Sequence, residues 1–127
     1  MNSLLITGTT IVFFALASYS VAIITEQRKK LIVKRVLIFL TLGVFLDITA
    51  TTFMILGSSK GFLTPHGFIG YSSLLAMFID AVLIWRLKNK NGLGASVPKG
   101  LHLYSRYAYI WWIIAFITGG LLVVIKP

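Results

Sequence analysis

Four stretches of this chain stay apolar for about 20 residues or more, the length a helix needs to cross a hydrocarbon core about 30 Å thick. They run from about Ser3 to Thr25, Val33 to Gly57, Gly67 to Leu87 and Leu101 to Ile125. The spacing predicts an all-α fold, a bundle of four transmembrane helices forming a single domain over residues 1–127. With 57% hydrophobic and 12% charged residues, too few polar side chains remain to clothe a soluble domain. The positive charges near the first stretch follow it, and no small-residue cleavage site is present, so it reads as a retained helix and not a signal peptide. Clusters around Gly57, Ser58, Gly61 and Pro65, and around Asn91, Gly92, Gly94 and Pro98, punctuate the chain between spans.

A net charge of +9 invites a nucleic-acid reading, but placement argues against it. Arg28, Lys29, Lys30, Lys34 and Arg35 follow the first span, and Arg86, Lys88, Lys90 and Lys99 follow the third, whereas Lys60 and Lys126 stand alone in the other polar segments. Positive charge concentrates on the cytoplasmic side of membrane proteins, so both basic loops are expected inside and both termini outside. The asymmetry also argues against dual topology. Trp85, Tyr104, Tyr107 and Tyr109 fall near the same ends and are expected to form an interfacial aromatic belt. The absence of cysteine removes disulfides, thiolate metal sites, iron–sulfur ligation and cysteine nucleophiles.

Two of the three acidic residues, Asp47 and Asp80, fall deep inside the spans. An Asp at the centre of a membrane helix costs about 2.5–3.5 kcal/mol on insertion scales, so such a residue faces a partner or a wet cavity. Either a functional or a packing role meets that requirement. On the third span His66, Gly70, Ser73, Met77 and Asp80 recur at alternating spacings of four and three, one stripe expected to face the interior. Gly70 and Ser73 are small enough to admit a neighbouring helix or a flat ligand. On the second span Asp47 and Thr51 share a face, with Thr49 and Thr52 nearby, and threonines at such positions can satisfy carbonyls four residues earlier. Arg106, one turn beyond His102, falls at a depth from which its long side chain is expected to pair with Asp80, a contact that can serve as an architectural lock.

The two histidines raise the question of haem, because imidazole is a common axial ligand. In the expected topology His66 opens the third helix on the outer side and His102 the fourth on the inner side, about 30 Å apart, so they cannot share one iron. Catalytic patterns are lacking: no Ser/His/Asp constellation, phosphate-cradling glycine loop or His-x-x-x-His pair is present, and an enzyme is not expected.

The segments Leu46-Asp47-Ile48-Thr49-Ala50-Thr51-Thr52-Phe53-Met54, His66-Gly67-Phe68-Ile69-Gly70 and Leu101-His102, with Glu26-Gln27-Arg28 after the first span, resemble the HsmA-like family of small four-helix haem-sensing bacterial membrane proteins. The resemblance extends over nearly the whole chain. It implies a protein of the cytoplasmic membrane that binds haem b and serves as a haem reservoir, a sensor, a stress protectant or an electron carrier, with His66, His102 and Asp47 at matching positions. One departure stands out: Asp80 occupies a position where the family is expected to carry a histidine, which removes a bis-histidine site with His102. Two haem arrangements remain. His102 would be the ligand at the inner side, with Arg106, Lys99 or Tyr104 near the propionates, or His66 at the outer side, with Lys60 near them; the first is better stocked with cations.

Three functions from different classes are therefore expected to compete. One is haem binding. A second is proton- or cation-coupled transport through Asp47 and Asp80, in a homo-oligomer because four helices seldom enclose a pathway alone. The third is a non-catalytic bundle that binds a membrane partner through its Gly and Thr faces.

Overall fold

A computed structural model describes residues 3–57 and 65–125, with the side chains among them except those of residues 4, 5, 54, 57, 65–67 and 119–125. Four helices follow one another: α1 (Ser3–Lys29), α2 (Lys34–Gly57), α3 (Pro65–Asn91) and α4 (Lys99–Ile125). Three of them contain a stretch long and apolar enough to cross a membrane, Ile6–Lys29, Lys34–Phe53 and Phe68–Asn91. Each of the three agrees with an expected span. Helices α1 and α3 are longer than their expected spans because a bilayer limits the apolar stretch and not the hydrogen-bonded one. Helix α1 continues past Thr25 through Arg28 and Lys29, and α3 past Leu87 through Lys88 and Lys90, cations that suit the negative end of a helix dipole. Both helices close with a left-handed residue, Lys30 (φ 57°) and Gly92 (φ 83°). Their amides donate back to Glu26 O at 2.7 Å and Lys88 O at 2.6 Å.

The helices pack around a ring. Helix α1 lies most extensively on α2 and α3 on α4, and the α2–α3 and α1–α4 contacts complete the circle. Tyr19, Leu40, Met77, Ile84 and Trp112 fill the centre, with Ala15, Ala22, Ala81 and Ala108 admitting close approach of the backbones. The distribution is the reverse of a soluble bundle's. Phe45, Phe14 and Phe68 face outward with 70%, 62% and 59% of their surface exposed, while Glu26, Asp47 and Asp80 keep 1%, 4% and 0%. Apolar side chains surround each helix on every side, which marks a helix built for an apolar solvent or a deep core.

Sequence patterning did not anticipate a small β-bridge that joins the two basic loops, Leu31 opposite Ser96 in antiparallel sense. Ile32 N donates to Ala95 O at 2.9 Å, Gly94 N to Ile32 O at 2.6 Å and Val97 N to Lys30 O at 2.9 Å. Gly94, at φ 84°, makes the turn that brings its loop alongside. Ile32 and Val97 then point inward and are buried, so the bridge plugs one end of the bundle with apolar side chains. Both basic loops thus lie at one end.

The tight α1–α2 contact has one point without slack. A Cβ added to Gly43 would stand 2.5 Å from Tyr19 Cδ1 and 2.7 Å from Cε1, closer than real carbon contacts. Gly43→Ala is therefore expected to destabilise the bundle by about 1–3 kcal/mol, the usual cost of overpacking. Thermal unfolding in detergent measures it, and an unchanged midpoint would show that α1 and α2 do not meet this way.

Candidate functional site

Each buried acid has a different solution to its desolvation, and the three solutions separate structure from chemistry. Asp47, midway along α2, accepts from Tyr19 OH of α1 at 2.9 Å and from Trp112 Nε1 of α4 at 2.8 Å, both at Oδ2. The two donor rings themselves meet edge to face, their centroids 5.0 Å apart. One carboxylate oxygen thereby ties three helices together and reaches across the ring of the bundle. Of the threonines near it, Thr49 and Thr52 donate to Phe45 O and Ile48 O four residues earlier, each at 2.9 Å, the local satisfaction expected of them. Thr51, on the Asp47 face, is half-buried.

Asp80 on α3 is fully enclosed. Its Oδ1 accepts from Ser105 Oγ of α4, and its Oδ2 is buried with no hydrogen-bond partner among the described residues. The expected Asp80–Arg106 pair is not formed. Ser105 and Arg106 are neighbours on α4 and so point about 100° apart; Ser105 faces α3, and Arg106 faces outward and toward α1, where its Nε donates to Gln27 Oε1 at 2.8 Å. The stripe itself is as expected at Ser73, Met77 and Asp80, all buried. At Gly70 a Cβ would meet nothing within 4 Å, so no helix leans on it.

Glu26 and Gln27 are the site residues that sequence reasoning did not assign. Glu26, in the last turn of α1, holds His102 with Oε2 2.7 Å from Nδ1. Gln27 Nε2 donates to Glu26 Oε1 at 2.5 Å and to His102 O at 2.9 Å, and Arg106 Nη2 lies 3.4 Å from His102 Nε2. The network links the end of α1 to the start of α4, below the loop bridge. A signal was available: a carboxylate at a helix C-terminus opposes the dipole, so an acid there needs a partner.

Residues of the expected aromatic belt also make contacts between helices. Tyr104 OH donates to Ala76 O at 2.8 Å, Trp85 Nε1 to Thr41 Oγ1 at 2.7 Å, and Tyr109 OH shares a 2.6 Å hydrogen bond with Ser20 Oγ. These groups join helices, because each meets a polar atom on the neighbouring helix, while Trp85 and Tyr107 are also exposed on the outer surface.

The inner haem arrangement can be tested against this geometry. Glu26 at Nδ1 is the kind of contact that orients a ligating imidazole, leaving Nε2 as the free nitrogen. Nε2, however, faces the Arg106 guanidinium, the ring is buried between α1 and α4, and Tyr104 is engaged with α3. A cavity of about 760 Å³ opens between α3 and α4 beside Leu101, and His102 is not among its lining residues. As packed, this end of the bundle does not accommodate a porphyrin on His102. The side chain of His66, and Lys60 with it, lie outside the described residues.

The fold and its polar interior define a helical bundle, apolar outside, that encloses all of its acids. Comparison with protein families, with curated proteins and with solved structures finds no match.

The Asp47 clamp makes a quantitative expectation. Trp112→Phe keeps an aromatic ring but removes the donor and part of the buried indole, so it should cost at least about 1–2 kcal/mol of stability in detergent, the range for such a bond before the lost packing is added. Tyr19→Phe should cost a similar amount, and a double-mutant cycle should show coupling; strictly additive losses would mean that the two donors do not share Asp47.

Proposed function

We propose that this chain is a multi-pass protein of the cytoplasmic membrane, crossing it four times with both basic loops inside, and that it couples a transport process to proton movement through Asp80. The observation that supports this reading is the unpartnered, fully buried Oδ2 of Asp80. An acceptor atom of this kind can take up and release a proton without breaking a bond on which the fold depends. Asp47 is different, because its carboxylate holds two donors from two other helices. Ser105 positions Asp80, and the Glu26–His102 pair, in the same interior and closer to the basic loops, supplies further groups able to carry a proton toward that end. Intramembrane carboxylates in proton-coupled proteins occupy such positions. The proposed working form is a homo-oligomer, in which a second copy completes the pathway. It is not an enzyme on this reading.

The experiment is proton uptake into proteoliposomes that contain a pH-sensitive dye, driven by an inside-negative potassium diffusion potential. The wild-type protein is expected to acidify the lumen, Asp80→Asn to fall to the rate of protein-free liposomes, and Asp80→Glu to retain part of the flux. Wild-type uptake no faster than that of empty liposomes would overturn the assignment.

Haem binding is the second reading, and the contact of Glu26 with His102 Nδ1 is the observation in its favour. It requires Arg106 to leave Nε2 and the ends of α1 and α4 to part. Protein purified after expression with haem supplied should then show a Soret band, with α and β bands that sharpen on reduction, lost in His102→Ala or, for the outer arrangement, in His66→Ala. A colourless preparation that fails to take up haem would remove this reading.

A further inference from the structure

We propose that the groove between the end of α3 and the start of α4 binds the head group of an anionic phospholipid, with Arg86 and Lys90 as the cations that hold its phosphate. One wall is a single stripe of α3 in which Leu83, Arg86, Leu87 and Lys90 follow at helical spacing. The opposite wall comes from Leu101 and Tyr104 of α4, and Gly100 leaves the mouth open, since a Cβ there would meet nothing within 4 Å. Arg86 and Lys90 lie one turn apart at the loop end of the groove, with Leu87 between them and Leu101 on the opposite wall, and Leu83 lies a turn further from the loops. Cations set among leucines match a phospholipid, whose charged head group and upper acyl chains lie close together, over the roughly 10 Å of helix axis between residues 83 and 90.

Charge complementarity identifies the occupant. Arg86 and Lys90 have no carboxylate partner among the described residues, because the chain's three acids are all enclosed in the bundle. Lys88, between them in sequence, is directed elsewhere: its Nζ lies over the Trp85 ring, 5.7 Å from the centroid. Two cations one turn apart, unneutralised and beside an apolar wall, attract an anion that brings its own hydrocarbon. A soluble phosphate would use the cations and leave the leucines uncovered, so the lipid is the better fit. The groove is also open along its outer side, as a lipid site is, with protein covering one side of the ligand and bilayer the other.

The proposal rests on α3 and α4 lying in a bilayer and is independent of proton chemistry at Asp80, so Asp80→Asn is expected to bind lipid normally. Native mass spectrometry of the detergent-purified protein, titrated with phosphatidylglycerol or with phosphatidylcholine, provides the test. Phosphatidylglycerol should bind preferentially, and an Arg86→Ala/Lys90→Ala variant should lose about tenfold or more of that affinity. An Arg28→Ala/Lys29→Ala variant, with equal charge removed from the other basic loop, should lose little. Gly100→Trp, which fills the mouth at unchanged charge, should weaken binding too, and helix content by circular dichroism establishes that each variant is folded. Equal losses in the two double variants would overturn the site in favour of diffuse attraction to a basic surface. Glycerol phosphate competing as well as the lipid would overturn the lipid as occupant, and no preference over phosphatidylcholine would overturn both.

Discussion

The structure depends on hiding carboxylates in a bundle whose exterior is hydrocarbon. An ionisable oxygen in such an interior is expensive, and the expense is met in three ways: two aromatic donors from different helices, one serine hydroxyl, and a histidine backed by an amide and a guanidinium. Each solution reaches from one helix to another, so each also fixes how the helices sit. Helix packing in an apolar solvent gains little from hydrophobic burial, since lipid tails are as apolar as leucine. The acids therefore act as orientation marks: Asp47 sets α1 and α4 against α2, Asp80 sets α4 against α3, and Glu26 sets α4 against α1.

Viewed along the bundle, the three sites differ in what they leave unfinished. The Asp47 clamp is closed by rings that meet edge to face, and Trp112 also stacks on Phe116, contacts that stiffen the middle of the bundle. Asp80 keeps an open atom, and the Glu26 network ends in Arg106, which is exposed. Rigidity in the middle and adaptability toward the basic end follow from this division. The arrangement places a tightly determined scaffold next to groups that can change partners.

Much of this was legible in the sequence, for reasons that can be named. Four apolar lengths announce four helices, and three of these helices contain stretches long and apolar enough to cross a membrane. The α3 stripe located Ser73, Met77 and Asp80 on the inner face because helical period alone determines a face. Partners were harder. Arg106 was assigned to Asp80 by depth, but depth does not distinguish adjacent residues on α4, and rotation by one position gives the contact to Ser105. The partners of Tyr104 and Trp85 were not legible, because composition cannot tell a headgroup partner from a carbonyl or hydroxyl on the next helix. The bridge between the loops left no pattern at all, since one antiparallel pair needs no alternating stretch to announce it.

The loop bridge has a consequence for the order in which the molecule can be made. Its first half, residues 30–32, leaves the ribosome with the α1–α2 hairpin, whereas its second half, residues 94–97, follows only after α3. Trp112 and His102 come later still, so during synthesis Asp47 has Tyr19 alone and Glu26 lacks its imidazole. The first hairpin is thus an unfinished half whose acids and loop amides all wait for the same late segment. The loop at residues 94–97 and then α4 supply them in direct succession, so closure of the bundle falls to the last stretch of chain to appear.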